Sequence, residues 1–254
     1  MAPVEQNELL DCALTAAKAG AAELMNRFGG PLEIQSKSSA ADKVTDADLA
    51  AENVIRAIIS DRRPEDSISG EELDDQVGAK AKVRWSIDPL DGTVNYTRGI
   101  PYFSTSVGAM DIETGLWVAG AVVAPALGIT YFAQRGGGAW VTRAWGCEQQ
   151  TAQIFGPPAD RQTKIVGTGF SYLAPERAAQ FEHLDQLMPD FVDVRRMGSA
   201  AIDICMVADG SLDVFYERHI KEHDWAAAML IAEEAGQRVK RPTFIGDLGS
   251  VNLN

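Results

Sequence analysis

Three kinds of apolar spacing succeed one another along this chain, and their order restricts it to a layered mixture of helix and sheet. Over 5–28, apolar residues recur at helical intervals (Leu9, Leu10, Ala13, Leu14, Ala17, Ala21, Leu24, Met25), and Gly29-Gly30-Pro31 ends the run. A second helix is predicted over 45–59, with Leu49, Ile55, Ile58 and Ile59 as its apolar positions. The small polar residues 35–43 between them read as a loop. Short strands are then predicted at 66–69 and 83–87, and again at 103–111, 116–123, 128–133 and 139–142. Gly136-Gly137-Gly138 reads as a turn between two of these. After 164 the order alternates: strand 164–168, helix 175–188, strand 191–194, helix 199–208, strand 212–216, helix 224–235. Such alternation is the mark of an α/β layer. The pattern breaks over 143–163, through Gly146-Cys147-Glu148 and Gly156-Pro157-Pro158. The expected division is therefore an α+β part at 1–146 and an α/β part at 147–254 packed closely on it.

Composition narrows the possible partners. The 254 residues carry a formal charge of −13. That works against nucleic acid, whose recognition needs a basic surface, and against an anionic membrane. No apolar run reaches the ~18 residues of a membrane span. Residues 1–11 hold no basic stretch followed by an apolar core, so no secretory leader is predicted. Three widely spaced cysteines (Cys12, Cys147, Cys205) make no disulfide framework and fit a reducing, cytoplasmic setting.

The strand at 83–87 runs directly into Asp88-Pro89-Leu90-Asp91-Gly92-Thr93. Pro89 lacks an amide donor and biases Asp88 toward extended backbone, so the two carboxylates belong at a strand end and turn rather than in a helix. Carboxylates bind hard cations such as Mg²⁺, and free amides at a helix start bind phosphate. An Asp-Gly turn with no function is the plain alternative. Gly70-Glu71-Glu72 places another acid after a short strand, although a Glu pair on a loop is usually solvated. Asp224 opens an apolar helix, where an N-cap is its ordinary role. Thr45-x-x-Asp48 is a capping-box pattern. Glu217 ends an apolar strand, either as an edge charge or as a substrate contact. Gly198-Ser199-Ala200 opens a helix with residues small enough for a close approach. His183, His219 and His223 make no ligand spacing and read as surface or structural. The five tryptophans are scattered and read as core or rim. No nucleophile elbow and no nucleotide phosphate loop is present.

Taken together, Asp88-Pro89-Leu90-Asp91-Gly92-Thr93-x-Asn95-Tyr96, Gly70-Glu71-Glu72 upstream, and Asp224-Trp225-Ala226-Ala227 with Glu234-Ala235-Gly236 downstream resemble the inositol monophosphatase family. The match runs in order along nearly the whole chain. It implies the layered α-β-α-β-α sugar-phosphatase fold and a Mg²⁺-dependent, lithium-sensitive phosphomonoesterase, commonly a homodimer. By this resemblance Glu71, Asp88 and the Leu90 carbonyl hold one Mg²⁺. Asp88, Asp91 and Asp224 hold a second, and Glu71 also contacts a third. Gly92 and Thr93 amides hold the phosphate, with Asp91 beside them. Thr93, Asp48 and Glu71 activate water. Gly198, Ser199, Ala200 and Glu217 surround the alcohol of a small phosphate ester. Inositol 1-phosphate is the first expected substrate, and histidinol phosphate and fructose 1,6-bisphosphate share the same metal chemistry. A regulatory relative without catalysis is the alternative from another class. The chain departs from the family's pattern at His223, where Trp is usual, and at Gln237, where Gly is usual.

Overall fold

The structure is a computed structural model that describes residues 3–32, 34–36, 43–146, 148–244 and 246–253. The first apolar stripe forms α1 (Pro3–Arg27), and a short antiparallel ribbon of β1 (Ile34–Ser36) and β2 (Lys43–Thr45) leads into α2 (Asp46–Arg62). The ends of the predicted loop at 35–43 thus lie in strands, while 37–42, like Cys147, lie outside the described residues. Thr45 caps α2: its hydroxyl accepts the Ala47 and Asp48 amides, and the Asp48 carboxylate accepts the Thr45 amide at 2.8 Å.

Next comes a seven-stranded sheet, built in chain order from β3 (Ser67–Gly70) and β4 (Val83–Asp91), then β5 (Ser104–Asp111), β6 (Leu116–Ala124), β7 (Ile129–Gln134), β8 (Gly138–Trp145) and β9 (Glu148–Ile154). A short helix, α3 (Thr93–Thr97), follows β4. Strands β3 and β4 are parallel, and every other pair is antiparallel. β9 was not predicted, because its polar sequence shows no buried alternate face: it is an exposed edge strand. Consequently the sheet runs past the predicted division at 146/147, which falls in the β8–β9 turn, and the chain leaves this sheet after Ile154.

The C-terminal part forms β10 (Ile165–Thr168), α4 (Ala174–Leu187), β11 (Asp193–Arg195), α5 (Ala200–Ala208), β12 (Val214–Arg218), α6 (Glu222–Glu234), β13 (Val239–Lys240) and β14 (Leu248–Val251). The five strands pair in the order β11-β10-β12-β14-β13. Five layers result. α1 and α2 cover the outer face of the large sheet, where Leu9, Ala13 and Ala17 meet Val107, Ala109, Ala119 and Ala121. α5 and α6 fill the space between the sheets. α4 covers the far side of the small sheet, where Leu184 and Leu187 meet Val166 and Val214.

At α6 the helix backbone approaches the sheet closely. Gly108 and Gly120 are cross-strand partners, and a Cβ on Gly120 would lie 3.0 Å from Ala227 Cα. The two glycines let the α6 backbone settle onto the sheet, and that sets the height of the helix start beside the β3 and β4 ends.

Candidate active site

Parallel pairing of β3 and β4 puts two acids side by side. Gly70 is in register with Ile87, so Glu71, the residue after β3, comes beside Asp88, which stays in β4 and pairs with Ser106. Pro89 cannot donate to the ladder, and the β4–β5 register shifts between Asp88 and Asp91. The acids therefore lie on an irregular strand end rather than on a turn. The Asp88 carboxylate accepts the Leu90 amide at 3.0 Å, and the Pro89 carbonyl accepts the Thr105 hydroxyl at 2.9 Å.

Asp224 arrives from the opposite side on α6. It is not the N-cap: Lys221 fills that position, and Asp224 sits in the first turn with its carboxylate accepting the Lys221 amide at 2.6 Å. One oxygen each from Asp88, Asp91 and Asp224 lie within 4.8 Å of one another, and the same holds for Glu71, Asp88 and a His223 ring nitrogen. His223 is thus no bystander, in contrast to its sequence reading. It lies beside Asp224 at 3.6 Å and lines the same cavity.

Burial pushes the Asp88 carboxyl well above the usual range, and Glu71, Asp91 and Asp224 push it further. Burial and Asp224 push Asp91 up to about 7, against the pull of the Ser199 hydroxyl. Asp224 is also raised by burial, with His223 opposing. Converging carboxylates that repel one another in a low-dielectric site are neutralised by protons or by a bound cation, and an oxygen-rich set fits a hard cation.

The cavity around these acids holds about 460 Å³. Gly92, with φ +99°, takes a left-handed turn into α3, and Asn95 ties α3 to the following loop and to the segment before α5 by donating to the Tyr102 and Met197 carbonyls, both at 2.8 Å. The Thr93 hydroxyl donates to the Leu90 carbonyl at 3.1 Å and lies 3.5 Å from Asp48, which accepts the Thr45 hydroxyl at 2.5 Å. Ser199 donates to Asp91 at 2.6 Å, and the Ala201 amide donates to the same oxygen at 2.7 Å. The Ser199 hydroxyl also caps α5, so its first partner is a carboxylate rather than open space. Gly198, Ala200 and Glu217 line the wall beyond. Burial pushes Glu217 well up, and a Cβ on Gly169 would lie 2.0 Å from its carboxylate, so a larger residue there would displace the Glu217 side chain. All the predicted site residues except Asp48 line this one cavity, and Asp48 backs it through Thr93.

Sequence reasoning missed four residues besides His223. Asp203 lines the pocket floor and accepts the Tyr102 hydroxyl at 2.6 Å. His219, with φ +68°, lies 3.4 Å from Glu176 at the mouth. No spacing signal marks these residues, because their partners come from distant segments. Cys12 and Cys205 are buried free thiols away from this chemistry. Among the described residues, no helix is long and apolar enough to cross a membrane.

Comparison with known proteins gives a consistent result. The model of the inositol monophosphatase family matches residues 5–246. An inositol-1-monophosphatase of Mycobacterium leprae is 41% identical over 224 residues, which are 87% of this chain and 75% of that protein. SuhB of Mycobacterium tuberculosis superposes with a TM-score of 0.78 at 37% identity, covering 96% of this chain and 89% of that one. The extragenic suppressor protein suhB of Bartonella henselae superposes with a TM-score of 0.83 at 30% identity, covering 91% and 86%.

Proposed function

Because the chain belongs to the inositol monophosphatase family, whose members are metal-dependent phosphoric monoester hydrolases, we propose that it hydrolyses inositol 1-phosphate to inositol and phosphate with Mg²⁺. The observation that carries this reading is the convergence of Glu71, Asp88, Asp91 and Asp224 on one cavity, in two overlapping groups that share the buried Asp88. Glu71, Asp88 and the Leu90 carbonyl would hold one ion, Asp88, Asp91 and Asp224 a second, and Glu71 would also reach a third. When bound, Mg²⁺ supplies positive charge for the phosphoryl oxygens and acidifies water.

The chain's own groups do the rest. Gly92 and Thr93 line the cavity, and their amides would receive the phosphate. Thr93, backed by Asp48, and Glu71 orient the attacking water and take its proton. The bond from phosphorus to the ester oxygen breaks as the bond from water forms, and the leaving alkoxide takes up a proton. Gly198, Ser199, Ala200 and Glu217 enclose the alcohol. A carboxyl raised by burial, as in Glu217, is suited to hydrogen-bond a polyol hydroxyl. Cytoplasmic action, lithium inhibition and a homodimer belong to the same proposal.

The test is phosphate release, with and without Mg²⁺, from inositol 1-phosphate, histidinol phosphate, fructose 1,6-bisphosphate and adenosine 3′,5′-bisphosphate. Mg²⁺-dependent turnover greatest on inositol 1-phosphate is expected. A preference for histidinol phosphate would replace the substrate but keep the chemistry. No turnover by folded protein on any of the four would favour a regulatory relative.

A further inference from the structure

One face of α2 carries polar residues at four-residue steps: Asp48, Glu52 and Arg56. Asp48 faces Thr93. Glu52, one turn on, is fully buried and faces the loop after β3, the loop that carries Glu71. Its Oε2 accepts the Glu72 amide at 2.8 Å. Its Oε1 accepts the Leu73 amide at 3.3 Å and the Arg56 Nε–H at 2.7 Å. Arg56, one further turn on, donates from Nη2 to the Leu73 carbonyl at 3.0 Å. Gly70 closes the contact: a Cβ there would lie 2.0 Å from Glu52 Oε1.

The two backbone amides that follow Glu71 thus end on one buried carboxylate, and the Leu73 carbonyl ends on that carboxylate's own counter-ion. Residues 71–73 have no helix or strand of their own, so this clamp supplies the order that a ladder would give elsewhere. A charged pair buried for packing alone is replaceable by apolar residues, whereas one that satisfies three backbone groups at a ligand loop has a positional use.

We propose that Glu52 and Arg56 are positioning residues for divalent-cation binding, which hold the Glu71 loop at the separation from Asp88 that the ion requires. The proposal rests on Glu71 being a cation ligand. A merely structural pair would stabilise the folded protein without changing its affinity for the ion.

The experiment is Mg²⁺ binding to metal-free protein by titration calorimetry, with thermal unfolding and hydrogen exchange measured on the same samples. The variants are Glu52→Gln, Arg56→Lys, Gly70→Ala and Glu71→Gln. Glu52→Gln and Gly70→Ala are expected to weaken Mg²⁺ binding roughly 10–100-fold, the usual cost of losing an outer-shell partner. Exchange at the Glu72 and Leu73 amides should accelerate in both. The Mg²⁺ concentration for half-maximal phosphate release should rise, with substrate KM at saturating Mg²⁺ little changed. Arg56→Lys keeps the charge but loses the forked donor, and should fall between these variants and the parent. Unchanged Mg²⁺ affinity in a folded Glu52→Gln protein of lower unfolding temperature would overturn the proposal. If Glu52→Gln does not fold, unchanged affinity in Gly70→Ala does the same, since Gly70 has an ordinary backbone conformation that alanine can adopt. Unchanged affinity in Glu71→Gln would instead overturn the ligand assignment beneath it.

Discussion

At the residue scale, the site is built from groups that burial has pushed away from their ordinary ionisation. Asp203 is the simplest case, because its only described hydrogen-bond donor is the neutral Tyr102 hydroxyl. Burial, its largest influence, pushes its carboxyl from 3.8 up to about 8. In the unfolded chain the group loses its proton near 3.8, whereas in the folded chain it keeps the proton until about 8. Over that window the folded state holds more protons, so stability falls as pH rises, by up to about 1.4 kcal/mol per pH unit. Asp203→Asn keeps an acceptor for Tyr102 and removes the titration. Urea unfolding of metal-free protein at pH 5 and pH 8 should therefore show a smaller loss in the variant, by about 1 kcal/mol or more. Equal losses in both proteins would dismiss Asp203 as the buried acid. The signature around Asp88 and Asp91 was legible because residues in it have local reasons: Pro89 interrupts the ladder, Gly92 takes a positive φ, and Asn95 ties α3 to the Tyr102 carbonyl seven residues on. Asp203 and His223 were not legible, since an acid inside an apolar helix and a histidine before an aspartate carry no signal until distant strands bring their partners.

At the element scale, the position of α6 decides where Asp224 lies. The helix rests on Gly108 and Gly120, with backbone nearly in contact with backbone. Gly120→Val would force the helix off the sheet, because the atoms it meets belong to Ala227 itself rather than to a movable side-chain tip. We expect a loss of roughly 1–3 kcal/mol in urea unfolding, the usual cost of overpacking, together with weaker Mg²⁺ binding as Asp224 withdraws. A variant that lost stability but bound Mg²⁺ as before would show that α6 can shift without moving its first turn. Most elements were readable from periodicity, which reports one buried face. β9 was not, because Glu148–Ile154 has almost no buried face to report. The start of α6 was misplaced by two residues, because Glu222 and His223 look like loop residues until Asp224 is seen holding the Lys221 amide.

At the scale of the whole molecule, an acidic chain concentrates four carboxylates at one point where three layers meet, a layout that the free protein tolerates at the expense of stability. On the proposed function Mg²⁺ would bind the folded state and not the unfolded chain, so it should stabilise by about 2.7 kcal/mol per site at a hundred times its Kd. For a chain of this size that is a rise in Tm of roughly 5–10 °C. Asp88→Asn removes the carboxylate common to both acid groups and should abolish the rise, while its metal-free Tm stays at or above that of the parent protein. A rise of equal size in the variant would move the ion elsewhere. The sequence by itself determined which acids are the candidate ligands, the helical and strand periods that carry them, and the family, because these depend on residue chemistry and on neighbours a few positions away. Only the tertiary structure decided that Glu71 stands beside Asp88, that Glu52 and Arg56 hold its loop, that Ser199 is bound to Asp91, and that His223 joins the cluster. Those facts follow from parallel pairing and from the packing of α2, α5 and α6 on the sheet ends, contacts between segments up to 150 residues apart that no local pattern encodes.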